Sequence, residues 1–139
     1  YDANDLSATP TKLTAFDGHT AAGFGFKVVA FDDKIVVGAY NDSVLNIGGG
    51  SVYVYDANDL SVAPTKLTPF DGIQYDHFGS AIGASNDKIV ISSPNDDDKG
   101  NNSGSVYVYD ANDLSATPTK LTAFDGAPYD DFGKTVAIL

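Results

Sequence analysis

Residues 1–18 read YDANDLSATPTKLTAFDG and return letter for letter at 109–126. Between them, residues 55–72 read YDANDLSVAPTKLTPFDG, with three changes. The three starts, Tyr1, Tyr55 and Tyr109, are evenly spaced at about 54 residues, and the intervening sequence aligns at that offset without gaps. A fixed period of this size belongs to repeat architectures, in which each unit is a supersecondary element that depends on its neighbours for burial. The period divides the chain into 1–18, the outer strands of a partial unit; 19–72 and 73–126, two complete units; and 127–139, the first strand of a further one.

Each complete unit reads as four short strands. In the first, residues 23–31 (GFGFKVVAF) form a small-and-apolar burst closed by Asp32-Asp33. Residues 34–40 (KIVVGAY) are β-branched and apolar, and residues 50–56 (GSVYVYD) alternate Val and Tyr. Residues 65–70 (TKLTPF) carry a proline that suits an edge strand. The second unit repeats the order at 78–84, 88–94, 104–110 and 119–124, with Asn86-Asp87 as its turn. Helix is excluded by pattern, since no apolar stripe keeps helical spacing for three turns and Gly or Pro interrupts each window. Ile35, Val36 and Val37 are consecutive, as are Val52, Tyr53, Val54 and Tyr55, so the inner strands are apolar on both faces. A sheet buried on both faces needs a neighbour on each side. The expectation is all-β: blades of four antiparallel strands in a β-propeller, here an incomplete ring of about two and a half blades. Strand accounting predicts a segment of a longer propeller. Joining residues 132–139 to another copy's residues 1–18 would leave a blade without its second strand.

These motifs carry a resemblance. Phe24-Gly25, Phe78-Gly79 and Phe132-Gly133 each precede an apolar strand. Gly38-Ala39-Tyr40 and Ser92-Ser93-Pro94 come next in register, and then GSVYVYD. This order resembles the FG-GAP repeats of integrin-α-type propellers. The loop at 95–104, NDDDKGNNSG, is similar to the microbial and algal branch. The resemblance implies a seven-bladed parent, an extracellular or cell-surface location, and a non-catalytic role in recognition or adhesion toward a protein or glycan. It also implies a D-x-D-x-D-G calcium loop between the first two strands of a blade, where this chain has only two-residue turns.

Residue chemistry supplies the other candidates. Asp96, Asp97, Asp98 and Asn101 bring enough oxygens together for calcium, against the plain alternative of a solvated Asn/Asp/Gly loop. Asn41, Asp42, Asn46, Asn95 and Asn102 lie in the loops that differ most between units and are the candidate binding-loop residues. Asp17, Asp71 and Asp125 read as repeated turn formers, with Tyr75, Asp76, Tyr129, Asp130 and Asp131 as a weaker ligand set. Phe24 and Phe78 read as aromatic filling between blades. Lys12, Lys66 and Lys120 read as charges guarding an edge strand. His19 and His77, the serines and the glycine run at 48–50 lack the frame of a catalytic or phosphate site. No catalytic constellation is expected.

Charge and composition narrow the partners. A net charge of -11 disfavours nucleic acid and anionic lipid. No apolar run approaches the roughly 20 residues that would insert in a membrane. With Cys at 0, neither disulfide nor thiol chemistry is available. Besides a protein or glycan ligand, the partners left are further blades from the same or another chain. Two alternative roles fit the same residues: a structural building block of an extracellular assembly, and an accessory propeller of a larger enzyme.

Overall fold

A computed structural model describes residue 7 and residues 9–42, 49–85 and 87–138. It contains eight strands: β1 (Phe24–Phe31), β2 (Lys34–Ala39), β3 (Ser51–Asp56), β4 (Thr65–Leu67), β5 (Ile82–Ser85), β6 (Lys88–Ser93), β7 (Ser105–Asp110) and β8 (Thr119–Leu121). They form two four-stranded antiparallel meanders, β1-β2-β3-β4 and β5-β6-β7-β8. The described residues contain no helix. Central pairing runs in one register in both sheets, with Val37 opposite Tyr53 in the first and Ile91 opposite Tyr107 in the second.

Alternation along the strands sends the apolar residues to two faces. Val36, Val52, Val54 and Leu67 leave the first sheet on one side and meet Phe78, Ile82, Ile89, Ile91, Tyr107 and Tyr109 of the second. That contact is the joint between blades and the main core. On the other side of the first sheet, Val37, Ala39, Tyr53 and Tyr55 are covered by Leu13, Ala15 and Phe24. The first sheet therefore has a tyrosine face, packed against the segment before it in the chain, and a valine face, packed against the second sheet.

Three expectations change at the strand ends. The fourth strands stop at Leu67 and Leu121, because the chain then turns away from its own sheet. The first strand of the second sheet begins at Ile82 rather than at Phe78. Phe78 and Gly79 instead lie in the seam between the sheets: Phe78 N–H donates to Gly49 O, just ahead of β3, at 2.5 Å, and Gly79 N–H donates to Ser92 O of β6 at 2.9 Å. Residues 132–138 form no strand. In both complete sheets the first strand pairs only with the second, and residues 132–138 have no such partner among the described residues.

The FG glycines need their glycine. Gly79 and Gly133 have φ of +90° and +83°, and a Cβ would strike Val52 and Val106 of the preceding sheet, respectively. Gly25 has the same conformation, φ +87°, with nothing within 4 Å.

Candidate functional site

The polar chemistry concentrates where one unit hands over to the next. After β4 the chain passes Thr68 and Asp71 and lays them across the tyrosine face of the second sheet. Tyr107 Oη donates to Asp71 Oδ1 at 2.6 Å and sits 3.2 Å from Asp96 Oδ2. Tyr109 Oη donates to Thr68 O at 3.3 Å. Lys120, on β8, brings its ammonium to Asp71 at 2.7 Å and to Asp96 and Asp98 at 2.8 Å each. The same ammonium lies 5.3 Å from the centre of the Tyr107 ring.

The first sheet has the same arrangement one period earlier. Tyr53 Oη donates to Asp17 at 2.7 Å and Asp42 at 3.1 Å, and Tyr55 Oη donates to Thr14 O at 2.8 Å. Lys66 Nζ bridges Asp17 and Asp42 at 2.6 and 2.8 Å. Phe16 and Phe70 stand edge-on to Tyr53 and Tyr107 from the handover segments. From the FG pairs, Phe24 and Phe78 do the same.

The electrostatics arise from this packing. Burial alone would raise the carboxyls of Asp17, Asp42 and Asp71, but the lysine and tyrosine hydrogen bonds outweigh it and hold all three below the ordinary value. Burial would lower the lysines, yet their carboxylate partners raise Lys66 and Lys120 instead. The Tyr53 and Tyr107 phenols are pushed up, first by burial and then by the acids they donate to. Asp76 behaves oppositely. Burial, assisted by the negative charges of Asp96 and Asp97, pushes its carboxyl up to about 6. Asp71, Asp76, Asp96, Asp97 and Asp98, with Ile73, line a cleft of about 180 Å³ at this end of the second sheet.

Several sequence expectations are corrected here. Lys66 and Lys120 do not guard an edge: each ammonium is enclosed by carboxylates. Asp17 and Asp71 are more than turn formers, since their carboxylates join one unit to the tyrosine of the next. Asp42, expected in a binding loop, is 2% exposed and faces inward. Asp96 is likewise buried.

The four residues considered for calcium do not converge. Asp96 and Asp98 turn to Lys120, Asp97 Oδ1 accepts from Asn102 N–H at 2.7 Å, and Asn101 Nδ2 donates to Tyr129 Oη at 2.9 Å. Among the described residues no group of three or more acidic, His or Cys side chains is arranged to hold a metal ion. The place between Asp96 and Asp98 is taken by an internal cation, so the set as folded does not fit calcium.

The remaining loop candidates divide by exposure. Asn41 is exposed and its Nδ2 donates to Ala21 O. Asn95, half-buried, contacts His77 Nδ1 at 3.0 Å. Asn46 lies outside the described residues. Asp97, Lys99 and Asn101 are exposed. The Asn101 amide holds Tyr129, itself 70% exposed, beside the loop. Tyr129 N–H also donates to Asn101 O at 2.8 Å. Sequence reasoning placed Tyr129 in a different cluster. Its recurrence one period after Tyr75, also exposed, was the available signal.

A stack of four-stranded antiparallel blades, joined through tyrosine, lysine and aspartate across each boundary, defines a propeller-type repeat protein. A family model for the FG-GAP repeat matches residues 9–55 and again 63–109. The chain belongs to the FG-GAP repeat family, whose repeats are typical of integrin-α-like propeller domains and form a generally non-enzymatic module. Each match takes in a handover segment near its start and ends in the tyrosine strand which that segment braces. No curated protein sequence matches the chain.

Proposed function

We propose that this chain is part of an extracellular or cell-surface FG-GAP propeller that recognises a protein or glycan without catalysing a reaction. The observation that carries the reading is the contrast between an inward-locked joint and the loop standing on it. Asp96 and Ser103 are buried and fix the two ends of the loop, through Gly104 N–H to Asp96 O at 2.9 Å and Ser103 Oγ to Asp96 O at 3.2 Å. Asp97, Lys99 and Asn101 then project from a fixed base, with the Tyr129 ring beside them. An aromatic face next to amide and carboxylate groups suits a sugar ring or a polar protein surface, and a rigid base lowers the entropy cost of binding.

The charged groups inside the molecule support a non-catalytic role. Lys66 and Lys120 are held by carboxylates, and the Tyr53 and Tyr107 hydroxyls are donated to the same acids.

An array of defined oligosaccharides and extracellular-matrix proteins tests the proposal. Specific capture that falls about tenfold in Asn101→Ala/Tyr129→Ala is the expected result. Capture unaffected by these changes, or turnover of an arrayed sugar, would overturn it.

A further inference from the structure

The turn that opens each unit repeats in backbone and differs in side chain. Phe26 N–H donates to Gly23 O at 3.0 Å, Ser80 N–H to His77 O at 3.1 Å, and Lys134 N–H to Asp131 O at 2.9 Å, one period apart each time. Ser80 Oγ closes on the same carbonyl, and Lys134 pairs with Asp131. Phe26 has neither device. Its ring lies 4.4 Å from that of Tyr40, and Tyr40 stands edge-on to the His77 imidazole at 5.2 Å. His77 meets the amide of Asn95 at 3.0 Å, one residue before the buried Asp96 at the base of the loop. Phe26, Tyr40, His77 and Asn95 thus make one row across the boundary between the two units.

The row is open to solvent and held in place. Phe26 is 61% exposed. A preceding sheet does not close its position: Ser80 and Lys134, which have one, are half-buried and exposed. His77 has a φ of +60° where the first unit places Gly23, at +72°. Glycine adopts that conformation freely and histidine does not, so the imidazole stands there at a backbone cost. Asn95 fixes its orientation. An amide nitrogen only donates, so Nδ1 accepts and the neutral ring keeps its proton on Nε2. Burial lowers the His77 pKa, which favours that neutral form. The acids beneath the row face inward: Asp76 Oδ2 accepts from Ile73 N–H, and Asp96 pairs with Lys120.

We propose that this row is a subsite for a neutral sugar ring, an inference that rests on the reading of this rim as a recognition surface. The apolar face of the sugar lies against Phe26 and Tyr40, and its hydroxyls meet the Tyr40 hydroxyl, His77 Nε2–H and Asn95 Oδ1. Size and charge select the occupant. Four side chains cover far less than the roughly 800 Å² per partner that a stable protein interface buries. A net charge of -11 repels acidic ligands, and the uncharged row gives a basic one no carboxylate to pair with.

Binding of the 139-residue chain to arrayed neutral oligosaccharides of glucose, mannose, galactose, xylose and N-acetylglucosamine, beside polygalacturonate, polylysine and extracellular-matrix proteins, tests this. Phe26→Ser/Tyr40→Pro installs the residues that the second unit carries at both positions. Capture of a neutral oligosaccharide that falls about tenfold or more in this variant, with an unchanged circular dichroism spectrum, is the expected result. If the double change alters the spectrum, Phe26→Ser alone, at an exposed position, is expected to weaken capture in the same direction. His77→Gly, the first unit's residue, is expected to weaken it by a smaller factor. Sugar capture indifferent to all three overturns the subsite; if the same capture is lost in Asn101→Ala/Tyr129→Ala, the recognition reading stands without it. Capture of polylysine that is lost in Phe26→Ser/Tyr40→Pro overturns the subsite in favour of a cation site. Capture of matrix proteins alone overturns the subsite and leaves that reading, and capture of nothing overturns both.

Discussion

The two tyrosine–lysine joints share one plan and differ in how completely they enclose their cation. Lys66 meets two carboxylates, Asp17 and Asp42, and His19 Nδ1 stands 3.3 Å from Asp42. Lys120 meets three, because the second unit's loop adds Asp98. The gain has a local cost. In the first joint Ser51 hydrogen-bonds to Asp42. In the second, Asp96 accepts from Asp98 N–H, Tyr107 and Lys120, and the Ser105 hydroxyl is left buried without a partner. A loop that diverges in sequence therefore reaches back and changes an ion pair in the frame beneath it.

Removing the cation should separate the joints most strongly. Lys120→Met leaves three carboxylates facing one another, one of them buried, and should cost about 4 kcal/mol in urea unfolding. Lys66→Met should cost about 3 kcal/mol, since fewer like charges remain together. Equal losses would mean that Asp98 adds nothing. Next in size are the phenols. Tyr107→Phe and Tyr53→Phe each remove a hydroxyl shared by two acids and should cost about 2 kcal/mol. A double-mutant cycle of Tyr107→Phe with Lys120→Met should show coupling, because both groups serve Asp71 and Asp96.

Acidity gives a smaller and two-signed effect. Asp17, Asp42 and Asp71 titrate below their unfolded value of 3.8, so their contribution is present above that pH and is lost as pH falls through the lower folded values. Asp76 titrates at about 6, above its unfolded 3.8, so the folded chain holds its proton longer and stability declines as pH rises from about 4 to about 6. Asp76→Asn should abolish that decline and leave the loss at low pH; urea midpoints across the range would measure both. Smallest of all should be the response to calcium: a melting temperature equal in chelator and in millimolar calcium is expected while Lys120 occupies its trio of acids. A rise with calcium in wild type would show that the loop rearranges to bind it.

The frame was legible in the sequence to the extent that its signals were local. Val36-Val37, the Val-Tyr alternation of β3 and β7, and the period of the repeat place the blades with little ambiguity. The joints were hidden by distance along the chain. Lys120 meets Asp71 across 49 residues, as Lys66 meets Asp17, and Tyr107 reaches Asp71 across 36. An isolated lysine in a short strand has an ordinary reading as an edge guard, and only its recurrence at a fixed offset from an aspartate marks it as paired. The short fourth strands had a similar cause: Thr68 and Asp71 look like strand continuation, but their groups serve the neighbouring sheet.

Those handover segments also bear on how such a chain can lengthen. One carboxylate of each joint, Asp17 or Asp71, is encoded near the end of one unit, and the tyrosine, the lysine and the remaining carboxylates are encoded in the next. A tandem copy of one period, inserted at any register, carries the acid for the unit ahead and the tyrosine and lysine for the unit behind. Growth by duplication thus adds a blade together with a complete fastening. A loss that removed the lysine of a joint and kept its aspartates would strand a charge in the interior.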